Sequence, residues 1–382
     1  TTGDQIVGKP VLSRDGATVF VGSKDNKLYA IKSDGSGESW TYDTLTPIIG
    51  SPVLNLDGST VYVGNSYPSV FHAINTTDGS SLWTYTAAAA VVGVPALSGD
   101  GATIYFGTEA LILVAVNTAD GTELWAKPNS GNGAFGSPTL SVDGLKIYIG
   151  SKDSKLYCYT TAGVQQWTYT TGDEIKSSPT LNSDGSTLYI GSNDNKLYAI
   201  NTVDGTKRWE FTTGGKILSK PSLGPRGLTV YVGSDKFYAI NTNNGTEAWN
   251  FAAGTPSTTA KFSSSPVINA DGSTVFVGCD NNKFYAINTM DGSVHWWHLT
   301  GGSISSSPTL SADGLTVYFG SEDSHLYVVK LTNQIIVKSN ADQVFSTTRP
   351  LMIDATTVVK TISVTSVTTP GSVGTIKFAM SG

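Results

Sequence analysis

The sequence is constrained first by a unit that copies itself. The stretch Gly191 to Leu223, GSNDNKLYAINTVDGTKRWEFTTGGKILSKPSL, recurs in near-copy along most of the chain. Aligning its proline-x-aliphatic mark gives Pro10, Pro52, Pro95, Pro138, Pro179, Pro221, Pro266 and Pro308, a spacing of about 42 residues. A unit of this size buries its apolar face only by stacking on its neighbours. The segments inside it are strand-like, so the period predicts eight blades of a β-propeller and not a helical array.

Each repeat reads as four strands. In the fifth they are Ser178 to Leu181, Thr187 to Ser192, Lys196 to Ile200 and Lys207 to Thr212, each rich in β-branched and aromatic residues with apolar and polar positions alternating. Between first and second strands sit Asp-Gly pairs at Asp15, Asp57, Asp100, Asp143, Asp184, Asp271 and Asp313. Between third and fourth sit Asp78-Gly79, Asp120-Gly121, Asp204-Gly205, Asn244-Gly245 and Asp291-Gly292. Such pairs supply the positive φ of a tight antiparallel turn, so each blade is a meander. In a meander both sets of turns emerge on one face, which is therefore ringed with aspartates. A turn aspartate caps its own backbone, and no stretch has the closely spaced oxygen ligands of a dedicated calcium loop, so no metal site is expected.

Composition agrees. Hydrophobic residues make up 39% and charged residues 14%, with 42 glycines, which suits many short strands and tight turns. The net charge of −6 offers no basic footprint for nucleic acid. There is no apolar run of about 18 residues to span a membrane. The chain begins at Thr1 and not at Met, as a processed or partial protein would. Low charge and abundant Ser and Thr point to an extracellular or surface-associated location, secreted, envelope or virion. Cys158 and Cys279 lie in repeats four and seven. If those blades are not adjacent, the residues cannot approach within the roughly 7 Å that a disulfide needs, and both are free thiols.

The junction of the third and fourth strands carries a specific resemblance. AINTVDGTKRW, Ala199 to Trp209, has Ala, Asn, Gly and Trp in a frame that recurs at Ala73 to Trp83, Ala115 to Trp125, Ala239 to Trp249 and Ala286 to Trp296. Ala30 to Trp40 keeps the length with its glycines displaced, and Cys158 to Trp167 is one residue shorter. The frame resembles the tryptophan-docking motif of the pyrroloquinoline-quinone (PQQ) dehydrogenase-like propellers, over roughly Gly3 to Lys338. The resemblance implies that Trp40, Trp83, Trp125, Trp167, Trp209, Trp249 and Trp296 dock each blade on its neighbour. The fold expected is thus all-β: an eight-bladed propeller over residues 1–338, with a C-terminal β extension over 339–382 that starts a further β domain.

Repeat eight lacks the tryptophan, and Ile335 to Lys338 is the candidate for its fourth strand, with the ring closing between blades eight and one. The extension alternates Thr and Ser with Val and Ile and has a hairpin signal at Pro370-Gly371. Its unpaired edges call for a partner. Repeats two and three depart from the frame at NSYPSVFHAI (Asn65 to Ile74) and GTEALILVAV (Gly107 to Val116), and YTAAAAVVGVP (Tyr85 to Pro95) is an apolar connection. Tyr67, Leu111, Ile112 and Trp297 are the candidate contact surface; for the connection, packing beneath a loop or lining the central channel is the plainer reading. In SVHWWHLTGG, His295 and Trp297 share one strand face while His298 shares the other with Trp296, so the histidines do not converge on a metal.

In the active branch of the resembled family, PQQ and a calcium ion occupy the central funnel with an aspartate as general base, often beside a disulfide of adjacent cysteines. This sequence has no adjacent cysteines, short connections between blades and no insertion large enough to wall such a pocket. The resemblance to the non-enzymatic branch, which includes outer-membrane assembly propellers, implies a scaffold instead. The expectation is a non-catalytic protein with no cofactor, binding protein partners through blade-face loops and the C-terminal extension. A PQQ-dependent alcohol or sugar dehydrogenase and a carbohydrate-binding propeller are the alternatives.

Overall fold

A computed structural model of the protein describes residues 1–91, 93–110, 112–128, 136–254 and 260–331, and the backbone of four short strand segments beyond them. Each repeat forms an antiparallel sheet in sequence order. Blade five consists of Thr180–Leu181, Thr187–Gly191, Lys196–Asn201 and Lys207–Thr212. Its register pairs Thr180 with Tyr189, Leu188 with Ile200 and Ala199 with Trp209, and a bulge follows Ala199. The bulge recurs at the same place in blades one to seven, beside each docking tryptophan.

The second and third strands are buried almost throughout while the fourth is half exposed. These middle strands are covered on both sheet faces, because the core lies between blades. Tyr189, Leu197 and Ala199 of blade five, with Ile217 of the connection that follows it, pack with Val230, Val232, Tyr238 and Ile240 of blade six, and blades four and five share the equivalent cluster around Tyr148, Cys158, Leu188 and Tyr198. The glycine ending each second strand makes this approach possible. A Cβ at Gly191 would overlap the Ile217 side chain, and one at Gly320 would overlap Ile6.

The ring is closed by the N-terminal segment. Thr2 N–H donates to the Ser324 carbonyl of blade eight (2.8 Å), as Thr213 N–H does to the Asn195 carbonyl at the same place in blade five (2.8 Å). Ser306 Oγ donates to the Gly8 carbonyl (2.8 Å) and Thr309 Oγ1 to that of Pro10 (2.6 Å), the latter matching the Thr180 to Pro221 bond between blades five and six. Thr1–Gly8 thus serves blade eight as an inter-blade connection.

Seven blades have four strands; the described part of blade eight has three, Thr309–Leu310, Thr316–Gly320 and Leu326–Lys330. Of Ile335 to Lys338, only Val337 and Lys338 are described, and they pair with Phe345 and Val344. The chain divides into a unit Thr1–Val329 and a second unit Lys330–Gly382. Within the latter, Ile362–Val364 pairs with Phe378–Met380, and the Pro370-Gly371 pair lies midway in sequence. Nearly all of the remaining extension falls outside the described residues.

Candidate interaction face and central cavity

Seven tryptophans sit at equivalent positions on the fourth strands. Each ring lies against an aromatic of its own blade's second strand, for example Tyr189–Trp209 with centroids 5.7 Å apart and Tyr148–Trp167 at 5.8 Å. In six of them the indole N–H donates to a threonine carbonyl of the next blade: Trp40 to Thr76, Trp83 to Thr118, Trp125 to Thr161, Trp167 to Thr202, Trp209 to Thr242 and Trp249 to Thr289, at 2.8–3.2 Å. The buried polar edge of each indole is thereby satisfied. The other side of the indole rests on a turn glycine of the next blade. Gly205 has φ +75°, and a Cβ there would lie 2.6 Å from Trp167. Among the described residues no hydrogen bond is found for the Trp296 indole, and blade eight has Leu331 at the position of the acceptor threonine, without the hydroxyl that ties the turns elsewhere.

That threonine is a functional position the sequence reading passed over. Thr202 accepts from Trp167 with its carbonyl, and its hydroxyl donates to the Gly185 carbonyl (2.6 Å), tying the two turns of one blade together. Thr76, Thr118, Thr242 and Thr289 repeat the bond to Gly58, Gly101, Gly227 and Gly272. The recurring Asn-Thr dipeptide in the frame was the available signal.

Both sets of turns share one face. Asp204 Oδ1 accepts from the Thr206 N–H (3.0 Å) and hydroxyl (2.7 Å), and Asp184 Oδ1 accepts from the Ser186 N–H (2.8 Å). These bonds favour the carboxylate form and hold both acids below the usual range. The aspartates cap their own turns. Between them stand exposed apolar side chains, Leu56, Val142, Val203, Leu228, Met290 and Leu315, with Val203 at 74% and Met290 at 87% exposure.

On the opposite face a second carboxylate set does different work. Asp194 Oδ2 accepts from the Gly172 N–H (2.7 Å) and the Tyr198 hydroxyl (2.6 Å), joining the turn of blade five to the connection arriving from blade four. Burial, then Asp194, pushes the Tyr198 phenol well above its ordinary value. Asp25 with Tyr29 and Asp323 with Tyr327 are built alike. Blade two puts His72 at the tyrosine position. It is buried, contacts Tyr42 OH through Nδ1 at 3.2 Å, and burial lowers its pKa to about 4.

The other candidate contact residues separate. Tyr67 projects from the blade-two turn at 82% exposure, whereas Ile112 is half-buried against the cluster shared by blades two and three, and Leu111 falls outside the described residues. Ile112 is therefore a packing residue and not an open contact, because the third strand that carries it is covered on both sides. In the connection Tyr85 to Pro95, Ala87, Ala90 and Val91 are buried and Val94 lines the central cavity. Trp297 is 46% exposed, and the Lys283 ammonium lies 4.1 Å from the centre of its ring. His298 packs edge-on against Tyr327 while His295 faces out, so the two histidines point to opposite sides. Cys158 and Cys279 are both free and buried, and burial pushes each thiol up to about 12.

The first strands surround a cavity of ≈ 630 Å³. The residue before each marker proline rings it: Lys9 in blade one, Lys220 in blade six, Val94 in blade three, and Ser51, Ser137, Ser178, Ser265 and Ser307 in the rest. Its lining contains no carboxylate among the described residues. The calcium of the resembled dehydrogenases takes several anionic or carbonyl oxygens, and two lysine ammonium groups are the wrong charge for it. The residues of this cavity do not fit that ion.

These observations define an all-β, eight-bladed propeller locked by tryptophan docking. The sequence matches the family described as outer membrane protein assembly factor BamB over residues 3–162 and 152–362, and the chain belongs to that family. Two solved structures share the fold. The crystal structure of BamB from Moraxella catarrhalis is 18% identical, with a TM-score of 0.71 over 86% of this chain and 98% of that one. The computationally designed Ika8 protein is 11% identical, with a TM-score of 0.70 over 86% of this chain and 96% of its own. No curated protein matches the sequence.

Proposed function

We propose that this protein is a non-catalytic scaffold that docks partner proteins on the face built from its Asp-Gly and Asn-Gly turns, at a cell-envelope or other extracellular surface. The observation that carries the reading is the pairing on that face of self-capped, rigid turns with outward apolar side chains at Leu56, Val203 and Met290. Rigid presentation of apolar tips lowers the entropic cost of docking. Carboxylates held in their charged form between them favour a partner patch rich in Lys and Arg. Membership of a family named for an assembly factor supports a scaffold over an enzyme. No described helix is long and apolar enough to cross a membrane. The C-terminal extension is proposed as a second attachment.

The calcium-dependent quinone reading draws no support from a cavity with no carboxylate among its described lining residues to hold that ion, and the protein is proposed to work without PQQ or calcium. The carbohydrate reading is weakened at Trp297, whose ring already carries the Lys283 ammonium. A photo-crosslinking residue placed at Val203 or Met290, and at Tyr67 on the opposite face, tests the proposal in intact cells. The expected result is one shared partner crosslinked from Val203 and Met290 and lost when either neighbour carries lysine. Crosslinks from Tyr67 alone would assign the opposite face and defeat the proposal.

A further inference from the structure

Among its described lining residues the central cavity has two cations and no anion to balance them. Lys9 and Lys220 enter it from blades one and six, both exposed to its solvent, and neither ammonium has an ion pair or hydrogen bond among the described residues. The protein carries 30 acidic residues against 24 basic ones, yet none of the described residues lining this space is a carboxylate. Elsewhere a lysine with a neighbouring acid uses it, as Lys196 does with Glu210 at 2.7 Å. The crowding of surrounding blades lowers the pKa of both lysines, and for Lys220 the charge of Lys9 adds to it. Two like charges in one confined cavity repel, and a counter-charge placed between them removes the repulsion.

The rim completes a set of donors. Lys9 N–H donates to Ser51 Oγ (2.8 Å), Val94 N–H to Ser137 Oγ (2.8 Å), Lys220 N–H to Ser265 Oγ (2.9 Å) and Ser265 N–H to Ser307 Oγ (3.0 Å). Each of these hydroxyl oxygens accepts from the backbone, which leaves its O–H free to donate. Serine donors therefore stand in register around the two ammonium groups on fixed first strands. A cavity of ≈ 630 Å³ is of the size that holds small ligands.

We propose that this cavity is a binding site for a small anion bearing at least two negative charges, a phosphate or a polycarboxylate, held between Lys9 and Lys220 with the rim serines donating to its oxygens. The site goes beyond the scaffold reading and is independent of it. Anion binding lies in the cavity, whereas partner docking is read from the turn tips.

The test titrates the full chain with inorganic pyrophosphate and, separately, with citrate by calorimetry at low and moderate salt. The wild type should bind one equivalent, more weakly as salt rises, and melt at a higher temperature with the anion present. Lys9→Gln/Lys220→Gln should weaken binding at least tenfold and abolish the thermal shift. Each single variant should give an intermediate loss, which keeps the test valid if the double variant folds poorly. Lys152→Gln/Lys207→Gln, outside the cavity, should leave binding unchanged. Preference between the two probes identifies a phosphate or a carboxylate ligand. Absence of saturable binding of both probes at 10 mM, or binding that survives the double variant, would overturn the site.

Discussion

Alanine at Gly205 tests tryptophan docking where its geometry is tightest. Two costs are separable. At φ +75° an L side chain is strained in the left-handed region by roughly 1–2 kcal/mol. The new Cβ would also stand 2.6 Å from the Trp167 ring, which must shift and strain its 3.2 Å bond to Thr202. Gly144 has nearly the same backbone, φ +72°, with nothing within 4 Å of its Cβ position, so Gly144→Ala carries the first cost alone. Loss of one well-made indole hydrogen bond and partial unseating of the ring add roughly 1–3 kcal/mol. Gly205→Ala is therefore expected to destabilise by roughly 2–5 kcal/mol and Gly144→Ala by roughly 1–2 kcal/mol. Trp167→Ala alone should cost about 3 kcal/mol, the lower end for a large aromatic because the ring is half-buried. In the double variant Trp167→Ala/Gly205→Ala the clash no longer exists, so the two costs should fall short of additivity by roughly 1–3 kcal/mol. Urea unfolding followed by far-ultraviolet circular dichroism reads all four. Equal losses for Gly205→Ala and Gly144→Ala, or strict additivity in the cycle, would refute the docking argument.

Three further outcomes are expected. Both thiols, pushed up to about 12, should resist a disulfide reagent at pH 8 in the native protein and react only on unfolding; prompt native labelling would contradict their burial. His72 is held neutral, with its pKa lowered from 6.5 to about 4, so the unfolded chain takes the proton first as pH falls. The stability it protects is complete above pH 6.5 and lost towards pH 4, a loss of roughly 2–3 kcal/mol that His72→Tyr should remove from urea midpoints at pH 7 and 4.5. Asp204→Asn should lower the midpoint at pH 7 and lower it progressively less as pH falls below 3.8, since the carboxylate's contribution exists above the unfolded pKa and fades as pH falls through the lowered folded one; an effect independent of pH would exclude the charged cap.

The eight-fold period, the meander and the capping role of the turn aspartates were legible because each rests on local chemistry repeated many times. Asp184-Gly185 and Asp204-Gly205 mark turns whatever surrounds them. Burial of the middle strands was less legible. Alternation in TLYIG and KLYAI reads as a one-sided strand, but stacking of blades covers both faces, and Ile112 is half-buried for that reason. The cavity lysines were invisible in sequence because their meaning lies in what stands across from them. Lys9 and Lys220 belong to blades one and six, and only the closed ring turns both towards one cavity with no counter-charge among its described lining residues.

The central claim, a scaffold without quinone chemistry, is tested most directly by titrating the purified protein with PQQ and calcium while following dye-coupled oxidation of alcohols and sugars. The account predicts no turnover at any concentration of quinone or metal. Saturable quenching of tryptophan fluorescence accompanied by substrate-dependent dye reduction would contradict it and establish a dehydrogenase.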